Sequence, residues 1–261
     1  MAYEYVIYEK KEHIAYVTIN RPEVMNALHP PSHEELWGVW NDFQGDSEMW
    51  VAIVTGAGDR AFSAGNDLKY SAAQPGGRAS QPDPLGGFGG ITGRFDCHKP
   101  IIAAVNGYAL GGGFEITLAC DIIVAAEHAR FGLPEATVGL MAGSGGIDRL
   151  PRQLPLKVAM GMILTGRHIT AQEAYRLGLV NEVVSLKDLM PCVQGWAQDI
   201  MRCSPLSIRA SKEGAMKGLG LPLEAAMNNS YRLNQMVLRS EDGIEGPKAF
   251  AEKRAPRWKG R

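Results

Sequence analysis

Two glutamates and a run of glycines in the middle of this 261-residue chain could do chemistry together. Gly111-Gly112-Gly113 opens a helical pattern, Glu115 falls two residues later, and Glu135 follows twenty residues further on, behind Pro134. A glycine-rich helix start leaves main-chain N–H groups unpaired, and no side chain keeps a ligand away from them. Those donors sit at the positive end of the helix dipole and favour negative charge. Donors that hold a developing oxyanion, with acids beside them to move protons, suit proton transfer on a carbonyl compound. Each glutamate alone has a plainer reading. Glu115 could be a paired residue of an apolar helix, and Glu135 a solvated acid in a turn. A second glycine turn, Ala142-Gly143-Ser144-Gly145-Gly146, strengthens the joint reading.

Alternating strands and helices must position these residues. Residues 101–105 form an apolar strand ahead of the glycines. The helix runs through Cys120, and 122–126 form the next strand. Upstream, residues 13–19 read as a strand stopped by Asn20-Arg21-Pro22. Ser32 with Glu35 resembles a capping box that starts an amphipathic helix over 32–43. Residues 51–55 are a compact strand, and 61–69 turn tightly around Ala64-Gly65-Asn66. Residues 71–93, rich in Gly, Pro, Gln and Ser, read as a long loop forming a mobile wall of the site. Downstream, helices are predicted over 156–165, from the Thr170/Glu173 capping box to Gly178, and over 186–203, 205–217, 222–238 and 240–253. A short strand is predicted over 179–184. The chain is thus α/β with a helical last third, divided as a core domain over 1–200 and a helical region over 201–261.

Composition narrows the function. A net charge of −1 with 45% hydrophobic and 21% charged residues describes an ordinary globular chain without the basic field that nucleic acid or an anionic membrane would call for. The first residues lack a basic-then-apolar leader, and apolar runs are broken by Asn106-Gly107 and Asp121. The four cysteines have no C-x-x-C spacing and read as free thiols in a reducing cytoplasm. His29 and His33 are four apart, but Pro30 and Pro31 break the helix between them, so no metal site is expected.

Two other glycine motifs fail on spacing. Gly56-x-Gly58 lacks the third glycine of a dinucleotide fingerprint, and no loop ends in Gly-Lys-Ser/Thr. The turn at 142–146 is one residue short of a G-x-S-x-G nucleophile elbow, and no histidine follows His168.

Three blocks, AFSAGNDLK (61–69), PIIAAVNGYALGGGFEITLACD (100–121) and FGLPEATVGLMAGSGGIDRL (131–150), resemble the signatures of the crotonase, or enoyl-CoA hydratase/isomerase, superfamily. The likeness extends through Asn20-Arg21-Pro22, Met25-Asn26-Ala27-Leu28, Leu164-Thr165-Gly166 and the ending 250–261, covering nearly the whole chain. It implies a ββα spiral core with a C-terminal helical trimerisation region.

By motif position, the resemblance implies a thioester oxyanion hole from the N–H groups of Asn66 and Gly112. Many family members have a small or apolar residue where Asn66 stands. It implies Glu115 and Glu135 as the acid/base pair, a pairing kept by hydratases and absent from many relatives with other chemistry. Ala27, Ala64, Asp67, Leu68 and Gly143 would contact the acyl-CoA. Phe250 and Lys253 would reach a neighbouring subunit's CoA, although Lys253 also reads as a plain solvated charge. The reaction implied is hydration or dehydration between a 2-enoyl-CoA and a 3-hydroxyacyl-CoA. No metal or separate cofactor is implied, since coenzyme A enters as part of the substrate. The expected assembly is a homotrimer or dimer of trimers. Ala142 stands where family hydratases often carry Pro. That departure, with 138–143, 149–153 and 160–167, resembles the carnitinyl-CoA dehydratase branch and leaves the acyl group open. The alternatives are carnitinyl-CoA-type dehydration, double-bond isomerisation, thioester hydrolysis, or a non-catalytic member binding CoA or RNA.

Overall fold

The computed structural model describes residues 3–80 and 82–261. In chain order its strands are β1 (Val6–Lys11), β2 (Ile14–Ile19), β3 (Val51–Gly56), β4 (Ala61–Ser63), β5 (Ile101–Val105), β6 (Tyr108–Leu110), β7 (Ile122–Ala126), β8 (Arg130–Gly132), β9 (Ile169–Thr170) and β10 (Glu182–Val184). The helices are α1 (Pro30–Gly45), α2 (Leu68–Ala72), α3 (Gly112–Ala119), α4 (Gly146–Gln153), α5 (Leu156–Thr165), α6 (Ala171–Arg176), α7 (Leu186–Met201), α8 (Pro205–Gly218), α9 (Leu223–Asn228), α10 (Arg232–Val237) and α11 (Glu241–Ala251).

One sheet has the order β1-β2-β3-β5-β7-β10 and the other β4-β6-β8-β9. From β3 onward the chain visits the first sheet, crosses a short turn into the second, and returns, three times over: β3 to β4, β5 to β6, β7 to β8. These coils form the expected ββα spiral, with neighbouring strands of successive coils parallel.

The strands β5 and β7, and β3 up to Val54, are apolar throughout because both of their faces are covered. Ile53, Ile102, Val124 and their alternates pack against Leu189, Val193 and Ala197 of α7. The opposite face, with Val54, Ala103 and Ala125, joins Trp40, Phe43, Phe62, Phe114 and Phe131 in the main core.

Several boundaries differ from the sequence reading. β1 is an additional edge strand whose solvent-facing charges hide its periodicity, since Val6 alone is buried in it. It pairs with β2 through a turn in which Glu12 and His13 both take positive φ, so His13 is a turn residue. The prolines do not break α1 but occupy its first turn, where the N–H that proline lacks has no helical partner. His29 is the cap, its N–H donating to Ser32 Oγ at 2.9 Å, while Glu35 instead accepts from the N–H groups of Glu4 and Tyr5. Residues 71–93 are not uniformly loose. α2 takes the start, and Phe88 to Ile91 are buried, with Gly89 held by Trp40 Nε1 and by His33 Nδ1. Gln81 of that stretch, like Met1 and Ala2, lies outside the described residues.

The helix predicted over 222–238 is two, because Asn229 and Tyr231 take extended backbone in a polar stretch that competes for its own hydrogen bonds. The glycine turn at 142–146 leads into α4, which carries Pro151 inside it. All four cysteines are unpaired. Among the described residues no helix is long and apolar enough to cross a membrane.

Candidate active site

Each coil delivers one part of the site at its exit from the second sheet. In the first coil, β4 runs into a turn in which Leu28 N–H donates to Gly65 O and Asp67 N–H donates to Leu28 O, both at 2.8 Å. With its neighbours tied to Leu28 in a parallel bridge, Asn66 presents its own N–H to the opposite side. In the second coil, β6 passes through Gly111 (φ +54°, ψ −128°) into Gly112, the first residue of α3, whose N–H has no intrahelical acceptor. A Cβ built on Gly65 would stand 2.9 Å from Gly112 N, so the turn carrying Asn66 abuts the first amide of α3. The Phe88 ring lies over Gly112, 2.4 Å from where a Cβ would be, which fixes glycine there.

Glu115, one turn into α3, is 3% exposed, and its Oε1 accepts a 2.8 Å bond from Gly146 N–H at the start of α4. Burial pushes its carboxyl up to about 7, with the Glu135 charge adding to the rise; the N–H groups of Gly146 and Ser144 and the Arg149 guanidinium oppose it. Glu135, in a 3-10 turn (Pro134–Val138) leaving the third coil, is likewise raised by burial. Its Oε2 is buried without a hydrogen-bond partner, and its Oε1 would stand 3.0 Å from a Cβ built on Gly111. A buried carboxylate oxygen left unpaired is uncommon and marks a place where a ligand or proton is handled. The structure therefore gathers two protonatable carboxyls, both displaced toward neutrality, around the opening amides of α3.

The other predicted contacts separate. Ala27 and Ala64 are neighbours of the Asn66 turn: Ala64 N–H donates to Met25 O, and the Ala27 carbonyl accepts from Arg21. Asp67 caps α2 through Tyr70 N–H and pairs with Arg21 at 3.1 Å, so its carboxylate is already engaged. Leu68 and Gly143 are exposed. Phe250, 87% exposed, and Lys253 lie on the surface of a single chain, outside the glutamate cluster. The Asn66 side chain donates from Nδ2 to Ser71 Oγ at 2.9 Å, leaving its main chain free for the site. A cavity of about 220 Å³ beside Asn66 is lined by Pro30, His33, Glu34, Leu85 and Phe88 among others. Sequence reasoning missed Phe88, Ser144 and Arg149. A turn aromatic, a glycine-flanked serine and an arginine in a short helix carry no spacing signal that ties them to distant glutamates. Among the described residues no three His, Cys, Asp or Glu side chains come together as a metal-binding group.

Two amide-presenting turns lie beside buried Glu115 and half-buried Glu135 on this spiral, and comparison with known proteins gives the family. The enoyl-CoA hydratase/isomerase family matches residues 9–261. A carnitinyl-CoA dehydratase from Citrobacter koseri is 46% identical over 253 residues, 95% of each chain, and one from Salmonella typhi is equally similar. Solved enoyl-CoA hydratases from Mycobacterium marinum (TM-score 0.91, 37% identity) and Mycobacterium tuberculosis (0.90, 38%) superpose over 98% of this chain and 99% of theirs. The chain belongs to the enoyl-CoA hydratase/isomerase family.

Proposed function

We propose that the protein is a hydro-lyase that adds water across the 2,3 double bond of a 2-enoyl-CoA thioester and removes it from the 3-hydroxyacyl-CoA. The thioester oxygen accepts from the N–H groups of Asn66 and Gly112. Glu115, as carboxylate, takes a proton from water while the water oxygen bonds to C3. The displaced π electrons pass to the thioester oxygen as an enolate, which the two amides stabilise; one such donor contributes about 3–4 kcal/mol to a barrier. Protonated Glu135 then delivers its proton to C2 as the carbonyl reforms. The observation that carries this reading is geometric: buried Glu115 is held by Gly146 N–H, and the Oε2 of Glu135 is buried without a hydrogen-bond partner beside Gly111, at the first turn of α3.

No separate cofactor takes part, because coenzyme A arrives with the acyl group and its remote binding places the reacting carbons. Ala27, Ala64 and Leu68 would contact the acyl-CoA beside Asn66. A carnitinyl-type acyl group is the second reading, favoured by 46% identity to carnitinyl-CoA dehydratases and by Ala142, which packs against Gly146 behind Glu115. The core over 1–200 and the helical region over 201–261 divide the work between chemistry and assembly. Met216, Leu219, Leu223, Met227, Leu238 and Phe250 are each at least 57% exposed there, which fits burial between subunits of a homotrimer or dimer of trimers. Four unpaired thiols fit a reducing cytoplasm.

The test is a panel of straight-chain, branched, aryl and carnitinyl 2-enoyl-CoAs, followed by loss of the conjugated thioester absorbance. Glu115→Gln and Glu135→Gln should each lower kcat by about 10²–10⁴. Hydration that survives both changes would remove these residues from the mechanism; isomerisation or hydrolysis products would replace the reaction.

A further inference from the structure

We propose that Arg149 is a positioning residue for Glu115: its guanidinium ties the glycine turn that binds the carboxylate to the turn that covers Gly112, and places a positive charge on the Glu115 side of the acid pair. The inference deepens the reading of Glu115 as the water-activating base and rests on it.

Arg149 stands one turn into α4, the helix whose first N–H binds Glu115. Its Nη2 donates to the carbonyl of buried Thr92 at 2.7 Å. A methyl on Gly145 would stand 2.1 Å from Nη1, so the guanidinium lies directly over the turn. Gly145 has φ +107°, and a side chain there would be doubly excluded. Thr92 N–H in turn donates to Phe88 O, and Phe88 is the ring lying over Gly112. One side chain thus joins the segment that holds the acid to the segment that covers the amide. The guanidinium also lies over the Phe95 ring, 5.6 Å from its centroid.

The charge is as telling as the geometry. Arg149 is half-buried, and its guanidinium bonds to a carbonyl, that of Thr92, with no carboxylate in salt-bridge contact among the described residues. Burying a guanidinium without an ion pair is costly, and carbonyl bonds alone do not recover it. The ionisable groups that face it are Glu115 of α3, Cys120 just past the end of α3, and Asp148 on its own helix. Facing Glu115 are Glu135, from the turn after β8, and Arg149 itself. Asp148 is exposed to water, which leaves Glu115 as the buried charge that Arg149 offsets. When ionised, Glu135 pushes the base toward its protonated form; Arg149 pushes it back.

The experiment is a carbon-13 NMR titration of the Glu115 carboxyl in wild type, Arg149→Met and Arg149→Lys, each checked for folding by circular dichroism. Glu115→Gln provides the assignment. Arg149→Met should move the Glu115 midpoint up by about one pH unit, and Arg149→Lys should return most of that shift. The acidic limb of kcat/KM for hydration should follow the same order, with KM changed less than kcat. A Glu115 midpoint that stays put in Arg149→Met, or moves equally in Arg149→Lys, overturns the proposal. If Arg149→Met does not fold, Arg149→Gln carries the same readout. The titration needs no turnover, so a chain that hydrates no enoyl-CoA would refute the proposed reaction while the midpoint still decides the role of Arg149.

Discussion

Gly111 and Glu135 touch across the entrance to α3: a methyl group on the glycine would lie 3.0 Å from Oε1 of the glutamate. The contact joins the second coil to the third at the point where the proposed proton to C2 is held. Gly111 also has φ +54° and ψ −128°, a conformation that side chains resist. Gly111→Ala should therefore destabilise the fold by roughly 1–3 kcal/mol and lower turnover at least tenfold by displacing Glu135. Thermal denaturation and steady-state kinetics on 2-butenoyl-CoA check both halves. A variant with native turnover would show that this contact does not position the acid.

Asn66 separates side chain from main chain. Asn66→Ala removes only the bond to Ser71 and keeps the N–H, so kcat should stay within a few fold of wild type. Asn66→Pro removes the N–H itself and should lower kcat by about 10²–10³. Kinetics on the two purified variants, with circular dichroism to confirm folding, would expose a side-chain role if the alanine variant were the worse enzyme.

Burial raises Glu115 to about 7 in the folded chain, against 4.5 for the free group. Between those values the folded state holds more proton than the unfolded state, so stability falls as pH rises through the window. Relative to wild type, Glu115→Gln should gain stability from pH 5 to pH 8, by up to about 3 kcal/mol at the upper end. Urea unfolding at the two pH values measures it. A difference between variant and wild type that is the same at both pH values would mean that Glu115 titrates normally.

The exposed apolar residues of the last third predict self-association. Sedimentation velocity should give a species of three or six chains, and Leu223→Asp with Met227→Asp should shift it toward single chains while leaving the ββα core folded. A wild-type monomer at micromolar concentration would assign that surface to something other than a second copy.

Side-chain chemistry was easier to read in this chain than local structure. Glu115, Glu135 and the glycines announce themselves by type and spacing, and β3, β5 and β7 by unbroken apolar runs covered on both faces. The strands β4, β6 and β8, three residues each, are too short to show any period, yet they build the second sheet that delivers every part of the site. α4 was hidden by the glycines at its start, and with it Arg149, whose partners are backbone groups of a distant turn. The grip of Asp67 on Arg21 was equally invisible, because an aspartate in a turn looks the same whether it meets a ligand, caps a helix or pairs with a cation.

The three coils of the spiral give this site the character of stacked rungs. The lowest contributes Asn66, the middle one Gly112 and Glu115, and the uppermost Glu135. Because the amides belong to backbone held in paired strands and α3, while the acids are side chains, an acid can be exchanged with the strand framework of the amides in place. On the proposed reading, a scaffold made this way can trade one reaction of the bound thioester for another by altering a single level.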